Sequence, residues 1–253
     1  MELALGGAAF LSFFAGFPAS ALLLRCGLSA SQRFSPRAAL ALSSLAALCA
    51  CASALLARGG LRAASPASRL SMTAGSFMGG TLGRALLLMT ASRLSGSYEL
   101  LRIQAIPLLL LCVLSLVPAQ RLPARHLADH YAALPYWAFL CGMTDGFFGA
   151  GGMTLLSPFM LGTIVRRRDR PTALMLLLCA CAQGGALALT LAAGAAQVFP
   201  GRMLFAVGAG AAMGVWAAEA DKKRGAASIG LRIALKAYLI IAALSGLEQA
   251  FLS

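Results

Sequence analysis

The sequence predicts an all-α polytopic membrane protein of about eight transmembrane helices in two repeats of four, with helices one and five broken. Three observations lead there. The 253 residues are 60% hydrophobic and 11% charged, whereas a soluble domain is about half apolar and about a quarter charged. Apolar runs close to the roughly 20 residues that cross a bilayer core as a helix recur from end to end. Matched features also return in the same order about 130 residues apart, as in the internal repeats of secondary transporters. Backbone in lipid has to satisfy its own hydrogen bonds, so these runs are read as helices.

The first run, 3–24, follows Glu2 where a signal peptide has a basic stretch, and no polar mature domain comes after it. A retained helix is therefore expected despite the cleavage-like Ala19-Ser20-Ala21. It passes from Phe10-Leu11 to Ala15-Gly16-Phe17 and is interrupted at Pro18. The second run, 37–57, follows Ser35-Pro36 and carries Cys49-Ala-Cys51. Proline suits a first helical turn, where its missing N–H is no loss. The third, 70–92, contains Gly79-x-x-x-Gly83, and the fourth is 104–120. Residues 121–133 form a polar connection between a first half, 1–120, and a second, 134–253.

The fifth run, 134–165, passes from Phe139-Leu140 to Asp145-Gly146-Phe147 and is interrupted by glycines and Pro158. The sixth, 172–193, follows Asp169-Arg170-Pro171 and carries Cys179-Ala-Cys181. The seventh, 203–218, contains Gly210-x-x-x-Gly214, and the eighth is 228–252. The order of features thus repeats from half to half.

Twenty-one Lys and Arg stand against 8 acidic residues, a formal net charge of +13. They lie mostly in the breaks, as expected for loops on anionic lipid under the positive-inside bias. No basic patch is interleaved with aromatics on a soluble face, so nucleic acid is not an expected partner. Eight full spans place both termini outside the cytoplasm. Re-entrant hairpins at helices one and five would instead invert the repeats and leave the charge bias similar; segment length favours full spans. The seven cysteines sit mostly in apolar stretches, without the framework of a disulfide-built domain.

The fifth run holds the candidate site. Cys141, Asp145 and Gly149 fall on one helix face, with Gly142 and Gly146 beside it. Gly149-Ala-Gly151-Gly152 weakens the helix and lets backbone approach a ligand closely. A helix interrupted in the membrane exposes N–H groups and a positive dipole end, an anion site. The expected substrate-binding set is Asp145, Gly146, Gly149, Gly151 and Gly152, faced by Ala15, Gly16 and Pro18 of the first half. The competing reading is that these glycines only permit close helix packing. That role is assigned to Gly79, Gly83, Gly210 and Gly214.

Gly142-x-x-x-Gly146-x-x-Gly149-x-Gly151-Gly152 followed by Pro158 resembles the sulfite exporter TauE/SafE family, also called the toluenesulfonate uptake permease family. The two paired-glycine motifs on third helices resemble that family's repeat as well. The resemblance covers almost the whole chain in architecture, but its specific motif is short. It implies a multi-pass carrier of the bacterial cell inner membrane for sulfite, sulfonates or related anions. The chain departs from the family pattern at Met153, where the glycine run often continues, and at Asp145, where a small residue is usual. The first half replaces the glycine run with Ala15-Gly16-Phe17-Pro18-Ala19-Ser20.

Asp145 has two readings. One is a proton carrier, neutral while the anion is bound; the other is a structural carboxylate held by backbone N–H groups or by a base such as Arg84. Arg84 follows Gly83 near an expected helix end, where snorkelling to the interface is the default expectation. Cys49, Cys51, Cys179 and Cys181 suggest a soft-metal carrier as an alternative. Residues i and i+2 on a helix diverge by about 200°, however, so one C-x-C cannot chelate without unwinding, and core packing is favoured. His126 and His130 have i, i+4 spacing beside Asp129 but lie in the polar connection with no third strong ligand. The runs Arg166–Arg170 and Lys222–Arg224 are read as lipid contacts.

The leading expectation is a secondary transporter of small sulfur-containing anions, with membrane lipid as its surroundings. Soft-metal transport and a non-transport scaffold are the alternatives. No phosphate-binding loop, nucleophile–base pair or haem motif is apparent, so neither an enzyme nor a cofactor is expected.

Overall fold

The computed structural model describes residues 2–15, 36–57, 66–93, 134–148, 171–194 and 199–224, with isolated positions at 28, 234, 237, 238 and 241. Six helices are seen among the described residues: α1 (Glu2–Ala15), α2 (Pro36–Ala57), α3 (Pro66–Arg93), α4 (Leu134–Phe148), α5 (Pro171–Ala192) and α6 (Gly201–Arg224). Prolines open α2, α3 and α5, where the first-turn N–H has no intrahelical partner in any case. α5 closes through Gly194, whose φ of 61° lies in the left-handed region that glycine enters without a Cβ penalty. Among the described residues, three stretches are long and apolar enough to cross a membrane: Arg37–Ala57, Leu174–Ala192 and Gly201–Ala220. The expected runs 104–120 and 121–133, the Gly149–Pro158 break and nearly all of 228–252 lie outside the described residues.

Glycine decides which helices touch. A β-carbon on Gly75, Gly79 or Gly83 of α3 would press on the backbone of Pro135, Phe139 or Met143 of α4. From the other side, Gly142 and Gly146 meet the carbonyls of Ser76 and Gly80. Both series ascend together, so α3 and α4 run in the same direction. The same arrangement joins α1 and α6: Gly210 lies on the Gly6 carbonyl and Gly214 on that of Phe10. In lipid, where apolar surface gains little by pairing, such close backbone approach is what holds helices together.

Serine hydroxyls extend the packing. Ser76 of α3 donates to the Leu178 carbonyl of α5 (2.7 Å), and Ser53 of α2 donates to the Ala212 carbonyl of α6 (3.0 Å). Gly80 touches Ala182, and a β-carbon on Gly208 would press on the Cys49 sulfur, so with the serine contacts both pairs are again parallel. α2 crosses α3 in the opposite sense, as Arg37 donates to the Ala91 carbonyl and Arg84 donates to Ser44 Oγ. The main buried cluster threads α1, α2, α5 and α6 through small residues such as Ala9, Ala46, Ala50, Ala182 and Ala211.

These directions bear on the expected spans. α1 and α2 are both parallel to α6, so consecutive helices point the same way; α4 and α5, both parallel to α3, do likewise. Residues 16–27, 29–35 and 149–170, which connect the members of these parallel pairs, lie outside the described residues.

Gly79→Ala is expected to lower stability by about 1–3 kcal/mol, because its new methyl overlaps the Phe139 carbonyl. Gly7→Ala meets nothing within 4 Å and should stabilise by about 0.5–1 kcal/mol through helix propensity. Thermal unfolding of the purified full chain in detergent measures both.

Candidate functional site

Four helices bring polar side chains into an otherwise apolar interior. Asp145 of α4 and Gln183 of α5 are both completely buried. Gln183 Nε2 donates to Asp145 Oδ2 at 2.8 Å and lies 3.5 Å from the Asp145 carbonyl oxygen. Cys179, one turn earlier on α5, points its thiol at the same Oδ2 from 3.6 Å. The Cys179 thiol also lies close to that of Cys51 of α2. Gln183 Oε1 has no hydrogen-bond partner among the described residues.

Why the chain folds this way can be read from α3. Ser76, Gly80 and Arg84 are spaced by four and share a face. Gly80 has no side chain to separate helices, and it touches both Gly146 of α4 and Ala182 of α5. Those residues immediately follow Asp145 and precede Gln183, so the α3 glycine allows the carboxylate and amide to meet. Arg84 follows one turn further along that face, about 5.4 Å in rise. Its guanidinium is 0% exposed and donates to Ser44 Oγ of α2 at 2.7 Å. Gly83, the preceding residue, rests against Met143 and Phe147, near the last described turn of α4. Among the described residues, Cys179 and Gln183 of α5 are directed at the Asp145 carboxylate, with Cys141 one turn earlier on α4.

The expected site residues divide into three groups. Asp145 and Gly146 sit in the core, the glycine on the Gly80 backbone. Ala15 is the last residue described in α1. Gly16, Pro18, Gly149, Gly151 and Gly152 lie outside the described residues, as do His126, His130 and the Arg166–Arg170 run. Gly79, Gly83, Gly210 and Gly214 each lie against the backbone of a neighbouring helix. Snorkelling of Arg84 is overturned: the side chain is fully buried and donates to Ser44 of α2.

The C-x-C pairs diverge as helix geometry requires. Cys51 and Cys179 are buried, while Cys49 and Cys181 are partly exposed. Among the described residues no group of three or more His, Cys, Asp or Glu is arranged to hold a metal ion. Gln183 was missed by the sequence reading, although an amide in the middle of an apolar helix was a signal for it. A groove of about 790 Å³ lies elsewhere, lined only by α1 and α6, with Glu2 and Arg202 among its apolar walls. It shares no residue with the polar cluster, and the chemistry follows the cluster rather than the larger space.

Set against protein-family models, characterised proteins and solved structures, the chain matches none.

The buried amide–carboxylate pair has a measurable signature. Gln183→Leu removes the donor and leaves Asp145 Oδ2 poorly solvated, at an expected cost of about 1–3 kcal/mol. The double variant Asp145→Leu, Gln183→Leu removes both partners and is expected to lose less than the sum of the single changes. A double-mutant cycle by thermal unfolding reads the coupling.

Proposed function

We propose that this chain is a secondary membrane transporter of small sulfur-containing anions such as sulfite or organosulfonates. On this reading it belongs with the sulfite exporter TauE/SafE family and works in the bacterial cell inner membrane. The observation that carries the proposal is the complete burial of Asp145 in a polar cluster formed where α3, α4 and α5 converge. Ionisable groups within membrane-spanning bundles are costly and are kept mainly along ion or substrate pathways.

The helix directions support the same reading. α1 packs on α6 and α4 on α3, each through glycines and each in parallel; α2 packs on α6 and α5 on α3 in the same manner. Exchanging the first three helices for the last three reproduces these contacts, with the direction of each helix reversed. That is the relation of inverted-topology repeats, whose substrate sites lie near the bilayer midplane at the repeat interface. The two halves are 1–120 and 134–253, joined by 121–133, and transport proceeds by movement of one against the other. Of the eight membrane segments proposed, the first (3–24) and the fifth (134–165) serve as re-entrant arms. The glycine run after Phe148 supplies the anion-facing backbone, and Asp145 exchanges the coupling proton.

Vesicles reconstituted with the full chain test this. Labelled sulfite or a sulfonate should accumulate when the outside is made acid, so that protons flow inward with the anion. Asp145→Asn should abolish gradient-driven accumulation while retaining exchange of internal for external substrate. Replacing Cys49, Cys51, Cys179 and Cys181 with serine should leave anion transport within about twofold of the parent, whereas a soft-metal carrier loses its ligands. Failure of sulfite, thiosulfate and sulfonates to move at all in wild-type vesicles overturns the proposal.

A further inference from the structure

We propose that the groove between α1 and α6 holds one acyl chain of a phosphoethanolamine lipid, whose headgroup lies between Glu2 and Arg202. The inference stands apart from the transport reading and does not depend on it. The groove, of about 790 Å³, has Leu3, Gly7 and Phe10 on one side and Phe205, Ala209 and Met213 on the other. Among the described residues that line it, Glu2 and Arg202 alone are charged, and all others are glycine or apolar.

Glycine makes the space. Gly6 brings the two helices together, since a β-carbon there would stand 3.0 Å from the Ala206 carbonyl oxygen. Gly7 is turned about 100° from it around the helix, and a β-carbon there would meet nothing within 4 Å. The contact is thus tight along one line and open beside it. Leu3 and Phe205 are 93% and 77% exposed, so their side chains stand at the rim rather than across the gap.

The groove is polar at one end only, which is the pattern of a lipid and not of a wholly apolar helix. α1 and α6 run in the same direction, with Gly6 at the level of Ala206. One turn back on each helix, Glu2 and Arg202 come to a common level within the two first turns. Among the described residues neither makes an ion pair or a hydrogen bond. A carboxylate and a guanidinium at one mouth complement a headgroup that carries an ammonium and a phosphate, each charge meeting its opposite. Phosphatidylglycerol would set its single negative charge beside Glu2 with nothing to offset it. The methylated nitrogen of phosphatidylcholine has no N–H to donate to that carboxylate.

Length agrees with this occupant. From Gly201 to Met213 the helix rises about 18 Å, against about 15 Å for the hydrocarbon of one leaflet. A chain entering beside Arg202 therefore ends near the bilayer midplane.

Native mass spectrometry tests the site on the full chain, purified in detergent and offered equal amounts of phosphatidylethanolamine, phosphatidylglycerol and phosphatidylcholine. One phosphatidylethanolamine should be retained per chain, about two- to fivefold over either competitor. Glu2→Gln should erase that preference, and Arg202→Gln should lower retention of all three lipids. Gly7→Leu should fill the groove and abolish the retained lipid. Equal retention in Gly7→Leu and the wild type overturns the site. Enrichment of phosphatidylglycerol that Glu2→Gln leaves unchanged overturns the proposal in favour of an anionic lipid. A lipid-free dimer that Gly7→Leu disrupts overturns it in favour of a second copy of the chain. Where Gly7→Leu does not fold, unchanged lipid selectivity in both Glu2→Gln and Arg202→Gln overturns the headgroup assignment on its own.

Discussion

How closely two backbones can approach sets the terms for the rest of this molecule. Helices surrounded by lipid tails gain little from burying apolar side chains against each other, so attraction depends on packing at short range and on hydrogen bonds made inside the bundle. α3 meets both conditions along one edge. Gly75, Gly79 and Gly83 seat it on α4, while Ser76 and Gly80 fasten it to α5. Bulkier residues at these positions would move α4 outward and carry Asp145 away from Gln183. The polar cluster is in this sense a product of the glycines rather than an independent feature.

That dependence explains why an acid and a guanidinium can coexist in the interior. Asp145 has an amide and a thiol directed at one oxygen, and Arg84 has a hydroxyl that fixes its direction. Each is buried, and each is held by a different neighbouring helix: α5 for the acid and α2 for the base. A shift of α5 relative to α2 would change the two environments unequally. Coupling of chemistry to movement follows naturally where partners are divided among elements in this way. The antiparallel contact of α2 with α5, where the Cys51 and Cys179 thiols meet, is the seam along which such a shift would occur.

Much of this was legible in the sequence. The apolar runs gave the helices, the paired glycines gave their packing faces, and the recurring order of motifs pointed to corresponding pairs. α3 follows the expected 70–92 run closely, extending it to Pro66 and Arg93. Direction was not legible, because a run of apolar residues reads the same whichever way it crosses, and segment length favoured full spans for 3–24 and 134–165. Gly214 on Phe10 and Gly83 on Met143 give the sense of α1 against α6 and of α3 against α4, while the later parts of both runs lie outside the described residues. Arg84 was misjudged for a related reason: proximity to an expected helix end suggested an interface, but α3 continues for nine residues to Arg93. Gln183 went unremarked since its meaning comes only from Asp145, which is distant in sequence and adjacent in space.

The pairing of α1 with α6 also bears on synthesis. Gly6 is made about 200 residues before Gly210, the surface that receives it. The α1–α6 pairing therefore waits for the last described helix, and the nascent chain passes through a long period in which α1 is not yet gripped by that partner.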